Sequence, residues 1–500
     1  MASALWYLGF SVMLSVGFAS ARIVTAVHPR PPQQWLGLKG ESDYLAKLGS
    51  RRTGSEAHNQ LIQHIQGRLE SLGLHVHTDT WHFSYDNLGS LNPGRLTIGC
   101  RPITVSSTVP YSGHTPDGGV EGPLISLAGT GHPPRWADAA GGIAVVEIAN
   151  PPFANTSTAL PLWPGSPPWP DQYTGVPSTP ANALVTNLTA ARDAGVQAIV
   201  YVWANISDGL AAGLYAPFHN PFFGIPAVYT SGEAAQAVRA AAAANRTARV
   251  TLPGWLEHGT PTRNIWVVVP GTELRNESVV INTHTDGTNA VEENGHIAML
   301  SYARSLARAP PRRTTVLAFI TAHIHSAPFS ASKRSTTRWL ADHPELWNST
   351  AGSSLRAVLG TCVEHLGARS YREDLRRNAY EPTGEPEDEL LYAATPELAA
   401  IVRREWSGAT GEGAGVRVMN PTAPGHTQFG EGLPLLQAGI PEVSLITAPS
   451  WLLKEFPVGF DERGLVDLDV LERQIASFER IWRWADGVDA AAFGVVPPRG

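Results

Sequence analysis

The sequence predicts an α/β protein: a mainly parallel sheet sandwiched by helices, carrying a smaller β-rich domain as an insertion. Three observations lead there. From about Asn264 onward, apolar strand-like runs alternate with amphipathic helical periods. Between Cys100 and Leu252 the texture changes to short apolar runs separated by stretches rich in Gly and Pro. The length of 500 residues is too great for one ordinary core, so more than one domain is expected.

The elements follow in order. Leu61, Ile62, Ile65, Leu69 and Leu72 recur at helical spacing and stop at Gly73, and His75 to Phe83 reads as a strand. Ile143–Val146, Ala198–Val202 and Ala227–Tyr229 are the apolar runs of the middle region. Asn150 to Pro180 is a Pro- and Trp-rich loop of a length that is usually functional or inserted. Beyond it, strands are expected at Ile265–Val269, Val279–Asn282, Thr315–Ala322, Val358–Val363 and Val443–Ile446. Helices are expected at Ile297–Ala307, Ser335–Asp342, Thr395–Glu405 and Leu468–Trp484. The acidic run Glu381 to Leu390 reads as a solvated loop.

Composition narrows the function. The chain is 43% apolar and 16% charged, which is globular rather than disordered. Its net charge of −7 and lack of a basic cluster argue against a nucleic-acid partner. Ala4 to Phe18 is an apolar run ending at Ala19-Ser20-Ala21, the small-x-small pattern of a signal peptide over residues 1–21. The run is shorter than the ~20 apolar residues of a membrane span, so no stable membrane association is expected after cleavage. Sequons at Asn155, Asn187, Asn205, Asn245, Asn276 and Asn348 fit a secreted, N-glycosylated chain of the eukaryotic secretory pathway. Cys100 and Cys362 are too few for a disulfide framework or a cysteine zinc cluster.

In a parallel sheet, ligands bind beyond the carboxyl ends of the strands. Three expected strands end in chemistry-bearing residues at that edge. Val279–Asn282 leads to His284 and Asp286, Thr315–Ala322 to His323 and His325, and Val358–Val363 to Glu364 and His365. Glu292 and Glu293 lie between the first two, and His426 and Glu431 precede the last strand. Imidazole nitrogen and carboxylate oxygen are the ligands that zinc uses when a position is left open for water. Ser326, Ser330 and Ser332 stand near His325, but no Gly-x-Ser-x-Gly elbow supports a serine triad.

Several of these segments resemble the family-28 zinc metallopeptidases. They are Arg52-Thr-Gly-Ser55, Asn264-Ile-Trp-Val-Val-Val-Pro-Gly-Thr, the strand ending His284-Thr-Asp286, Val363-Glu364-His365-Leu-Gly367 and Ala438-Gly-Ile-Pro441. The resemblance covers roughly residues 40 to 95 and 260 to 485. Within the middle region, Ala190-Ala-Arg-Asp-Ala-Gly195 and Gly224-Ile-Pro-Ala-Val-Tyr resemble a protease-associated domain. This implies a zinc-aminopeptidase-like domain over 22–99 and 256–500 and a protease-associated-like insert over 100–255.

Carried over by residue, the resemblance implies His284 as a zinc ligand, Asp286 as its orienting carboxylate and Glu364 as a ligand to the other metal. The bridging carboxylate falls near Glu292 and Glu293, with the register open. The family's Glu-Glu pair is absent: His323-Ile-His325 stands there instead. No His follows Ile446, where the family has its last ligand. The metal site implied is a rewritten one of His284, Glu293, His325, Glu364 and His426, holding one or two zinc ions. His323, His325, Asp286 and Glu292 are its candidate catalytic groups. The expected function is a secreted hydrolase of a peptide or small amide. The alternative is a catalytically inactive binding or scaffold protein on the same fold.

Overall fold

The computed structural model describes residues 35–88, 94–127, 133–149, 161–169, 187–215, 222–325, 335–351, 355–408, 415–426 and 428–497. The signal-peptide segment, the Asn155 sequon and Ser326, Ser330 and Ser332 lie outside the described residues. No helix among the described residues is long and apolar enough to cross a membrane.

The described strands form two eight-stranded sheets and one hairpin. The first sheet runs in the order His77–Asp86, Leu256–Val269, Arg313–Ile320, Leu274–His284, Arg356–Cys362, Glu442–Leu445, Glu389–Ala393, Val416–Met419. Leu274–His284 pairs in parallel with Arg313–Ile320 on one side and Arg356–Cys362 on the other, and Arg356–Cys362 with Glu442–Leu445. The pairings outside this centre are antiparallel, except that Glu389–Ala393 and Val416–Met419 run together. The sheet is therefore mixed around a parallel core.

The central strands are apolar at successive positions because both faces are covered. Val279 and Ile281 pack with Leu61, Ile65, Ile297, Leu300, Phe478 and Trp482 from the helices Glu56–Ser71, His296–Arg308 and Leu468–Gly487. Val280 and Val316 face the other way, onto Trp339 and Leu435 of the helices Ser335–Asp342 and Leu433–Gln437. Each helix has one apolar stripe, and each stripe finds one face of the sheet.

The second sheet takes all its strands from Arg95 to Thr251 and is covered by Gly232–Ala243 on one face and Leu188–Asp193 on the other. Its first strand, Arg95–Ile98, begins before residue 100. Connecting segments beside the two sheets meet along a polar seam. Arg52 pairs with Glu455 at 2.5 Å and lies 4.5 Å over the Tyr215 ring. The backbone of Tyr215 donates to Leu453 (2.7 Å) and that of Glu455 to Gly213 (2.9 Å).

One expectation needs correction. The acidic run is not one solvated loop. Ala379–Pro386 is the second arm of a hairpin with Arg369–Asp374, and Glu389–Ala393 is a buried strand of the first sheet. Glu389 tolerates burial because Trp406 Nε1 (2.7 Å) and Arg473 donate to it. Cys100 is exposed, Cys362 is buried in its strand, and both are free.

One close approach holds the central strands in place. The helix His296–Arg308 starts at Gly295 against the strand ends, where a Cβ would collide with the Val363 carbonyl and the Thr283 hydroxyl. Neither neighbour is the loose end of a flexible side chain. Gly295→Ala is expected to destabilise by about 3 kcal/mol, read as a lowered denaturation midpoint at unchanged slope. An unchanged midpoint would show that the helix start has room to shift.

Candidate metal centre

The carboxyl ends of the parallel strands supply the site. His284 is the last residue of Leu274–His284 and is fully buried. Its Nδ1 stands 2.7 Å from the backbone carbonyl of Asp286, which commits Nδ1 as the donor and leaves the lone pair on Nε2. The Asp286 carboxylate is 3.6 Å from Nδ1, so the backbone of Asp286 orients the ring more closely than its side chain does. That carboxylate instead accepts from Thr53 Oγ1 and from the backbone amides of His323 (3.2 Å) and Ile324 (3.1 Å). It therefore fixes the turn that carries His323.

Nε2 of His284 faces the carboxylates. Glu293 Oε2 is 3.0 Å away and Glu364 Oε1 3.7 Å. Although Nε2 and Glu293 Oε2 are close, they are not aligned for a hydrogen bond, and neither atom has another partner. Glu293 is held by its other oxygen, which accepts from Thr283 Oγ1 (2.6 Å) and Gly295 N (2.8 Å). Glu292 Oε2 is likewise buried without a partner. Two groups of three ligand atoms lie within 4.8 Å of one another: His284, Glu292 and His323, and His284, Glu364 and His365. His284 belongs to both.

Electrostatics press in the same direction. Burial would lower the His284 pKa, but the Glu293 and Glu292 carboxylates outweigh it and hold the pKa well above the ordinary value. Burial raises Glu292 well above the carboxylate range, and it pushes Glu364 up to about 7, with Glu293 adding to the rise. These are the marks of crowded carboxyl groups short of positive charge. Arg51, fully buried, donates to the carbonyls of Asn289 (2.7 Å) and Glu293 (3.3 Å) and so ties down the loop that bears them.

His323 stacks on His284 with ring centroids 4.0 Å apart, and its Nδ1 is 2.5 Å from Glu431 Oε1. Burial and the charge on His284 lower its pKa to about 4. Ala322 just before it, and His365, both have positive φ, a strain that concentrates at functional sites. His325 goes elsewhere. With Ala322 at φ 65° the turn sends His323 toward His284, while His325 packs between Tyr111 (4.1 Å) and Phe83 (5.3 Å) at the seam between the sheets. His426 is half-buried and joins neither ligand group. The position before the last strand that does reach the site is Glu431.

An ion fits these residues. Ligand atoms about 2.0–2.1 Å from a tetrahedral zinc stand roughly 3.3 Å apart, and the separations of 3.0 and 3.7 Å from His284 Nε2 bracket that value. The chemistry of the donors, one imidazole and several carboxylates, suits zinc or another divalent cation.

No protein-family model matches the sequence, and no curated protein matches it. Solved structures do resemble it. A family-28 peptidase precursor from Shewanella amazonensis matches with a TM-score of 0.62 at 16% identity, over 94% of this chain and 96% of that one. A zinc aminopeptidase from Bacillus subtilis matches at 0.59 and 15%, over 90% and 96%. An aminopeptidase from Aneurinibacillus sp. strain AM-1 matches at 0.56 and 14%, over 93% and 95%. At these identities the likeness is one of fold: the chain has the α/β architecture of the zinc aminopeptidases.

His58 makes the region acid-sensitive. Its Nδ1 accepts from the Gly54 amide (3.0 Å), its Nε2 meets Thr285 Oγ1 (2.8 Å), and burial lowers its pKa to about 4. The folded pKa lies below the unfolded value of about 6.5, so the unfolded state takes the proton first. Stability is complete above about pH 6.5 and falls as pH drops toward 4, by about 3 kcal/mol from His58 alone. Denaturation midpoints across that range should slope downward, and His58→Gln should flatten part of the slope. An identical slope in the variant would contradict this.

Proposed function

We propose that the chain is a metal-dependent hydrolase of the aminopeptidase type, cleaving a peptide or other amide bond. In this reading His284, Glu293 and Glu364 hold zinc, Glu292 completes the set, and His323 is the general base. The observation that carries it is the convergence of buried, unsatisfied ligand atoms on His284 Nε2. His325 drops out of the ligand set because its ring packs between Tyr111 and Phe83; Glu293, though in neither group of three, stays because its Oε2 is 3.0 Å from His284 Nε2, an approach that His426 does not make among the described residues.

Bound zinc would polarise the substrate carbonyl and lower the pKa of a water toward ~7. The chain's own groups do the rest. The Asp286 carbonyl keeps the proton on His284 Nδ1. Thr283 and the Gly295 amide hold one oxygen of Glu293 so that the other is aimed. The Asp286 carboxylate holds the His323 backbone. His323, neutral at pH 7 with Nδ1 hydrogen-bonded to Glu431, takes the proton of the attacking water and returns it to the leaving amine. General base catalysis of this kind contributes ~10²–10⁴-fold.

The reading extends to the chain's surroundings. Residues 1–21 act as a signal peptide and the mature protein is secreted. Asn187, Asn205, Asn245 and Asn276 are exposed, as glycan acceptors must be. Residues 100–255, with the seam at Tyr111 and Tyr215 beside the site, act as a protease-associated-like insert.

A second reading has its own observation. No carboxylate follows the strand Arg313–Ile320, and the Ile324 side chain is fully buried there. On this reading the protein is a binding or scaffold protein that keeps the fold without turnover. Metal analysis with His284→Ala separates the two. The hydrolase carries about one equivalent of zinc or a similar ion, raises its denaturation midpoint on metal addition, and loses both ion and amide hydrolysis in the variant. Full hydrolysis by a metal-free preparation would refute the metal role. Protein without ion or turnover, with ligand binding untouched in His284→Ala, would establish the second reading.

A further inference from the structure

We infer that Asn289 is a positioning residue of the metal centre: it ties the loop carrying Glu292 and Glu293 to the second sheet through segment 452–455, so that zinc affinity depends on how that sheet is docked. The inference rests on the hydrolase reading for the ion, but the link is a set of contacts that stands without it.

Asn289 is fully buried, and both ends of its side-chain amide are used. Oδ1 accepts from the backbone amides of Val291 (3.0 Å) and Glu292 (3.0 Å), which folds the turn that presents the two glutamates. Nδ2 donates to the carbonyls of Leu452 (2.7 Å) and Lys454 (3.0 Å). Thr288 Oγ1 also donates to the Leu452 carbonyl (2.9 Å). Segment 452–455 belongs to no helix or strand, so contacts of this kind place it. On its other side, the Lys454 ammonium is buried and donates to the carbonyls of Gly209 (2.9 Å) and Ala212. The Tyr215 amide donates to Leu453 and the Glu455 amide to Gly213. Gly213 has φ 75°, and a Cβ on it would run into the Glu455 carbonyl, so the chains come this close only as glycine. Residues 209–215 connect the paired strands Ala198–Ala204 and Ala227–Thr230 of the second sheet.

Three sets of contacts hold the glutamate loop. Arg51 takes the carbonyls of Asn289 and Glu293, and Thr283 with the Gly295 amide takes one oxygen of Glu293. Those two sets belong to the first sheet and the chain around it. The third, through Asn289 Nδ2, leads out to the second sheet. Neither end of that link shifts without leaving a buried donor unpaired, so a displacement at 209–215 is passed on to the loop. Ligands are placed by their outer partners as well as by their own bonds. Moving the turn moves Glu292 and Glu293 against His284, whose Nε2 is 3.0 Å from Glu293 Oε2.

The test uses full-length protein, stripped of metal and titrated with zinc against a chromophoric chelator. Lys454→Met releases the link at the second sheet and leaves Asn289 in place. Asn289→Ser keeps an oxygen for the turn but is too short to reach segment 452–455, and it puts the same question should Lys454→Met not fold. Each should raise the zinc Kd by about 10-fold or more. Each should also speed hydrogen exchange at the Val291 and Glu292 amides in the zinc-free protein. An unchanged Kd with unchanged exchange at those amides, in a folded variant whose denaturation midpoint has dropped, would overturn the inference, since the contacts would then serve stability alone. A wild type that binds no zinc would defeat the hydrolase reading alone, because the exchange is read without metal.

Discussion

Burying Glu292, Glu293, Glu364 and Asp286 around one imidazole creates a demand for positive charge that the surrounding protein answers only in part. Arg51 lies behind the loop and is engaged with backbone carbonyls. The remaining imbalance falls on His284, whose pKa the carboxylates drive up, and on Glu292 and Glu364, whose pKa values burial drives up. Protons can relieve such crowding, and so can a divalent cation. A divalent cation would draw the ligand atoms of His284 and Glu293 together at the 3.0 Å they show, with no hydrogen bond between them. Isolated buried carboxylates are too costly to persist for packing alone.

The fold delivers these groups because parallel strands end together. His284 pairs in register with Ile320 and lies just beyond Asn282↔Cys362, so the residues after three strands share one rim. The backbone then sorts neighbours that sequence spacing treats alike. Ala322 in the left-handed region turns His323 inward, and His325 ends at the aromatic seam with Tyr111, whose hydroxyl donates to the Ile324 carbonyl at 3.0 Å. The turn after Ser107–Thr108, an edge strand of the second sheet, therefore touches the chain one residue from the candidate base.

Much of this was legible in the sequence, for a physical reason. Strands buried on both faces must be apolar at successive positions, which makes Val279–Asn282, Thr315–Ala322 and Val358–Val363 stand out and marks their polar ends. The edge strand Val416–Met419 and its neighbour Glu389–Ala393 were hidden, the latter because Glu389 opens it and an acidic run precedes it. Its partners lie outside the acidic run: the buried Trp406 is 17 residues on and the half-buried Arg473 84 residues on. The register between Glu292 and Glu293 was not legible either, and both turn out to be buried beside His284. Glu431 carried no local signal of its role, since its partner His323 lies 108 residues earlier. His426, nearby and of a ligand type, was the more conspicuous residue on composition alone.

The central claim is that a cation belongs at His284 Nε2. Crystals grown with zinc and measured on both sides of the zinc absorption edge test it most directly. The account predicts an anomalous peak about 2.0–2.2 Å from His284 Nε2, with Glu293 and Glu364 oxygens around it. A well-ordered His284 with no peak beside it, and with its ring bonded directly to a carboxylate, would contradict the account.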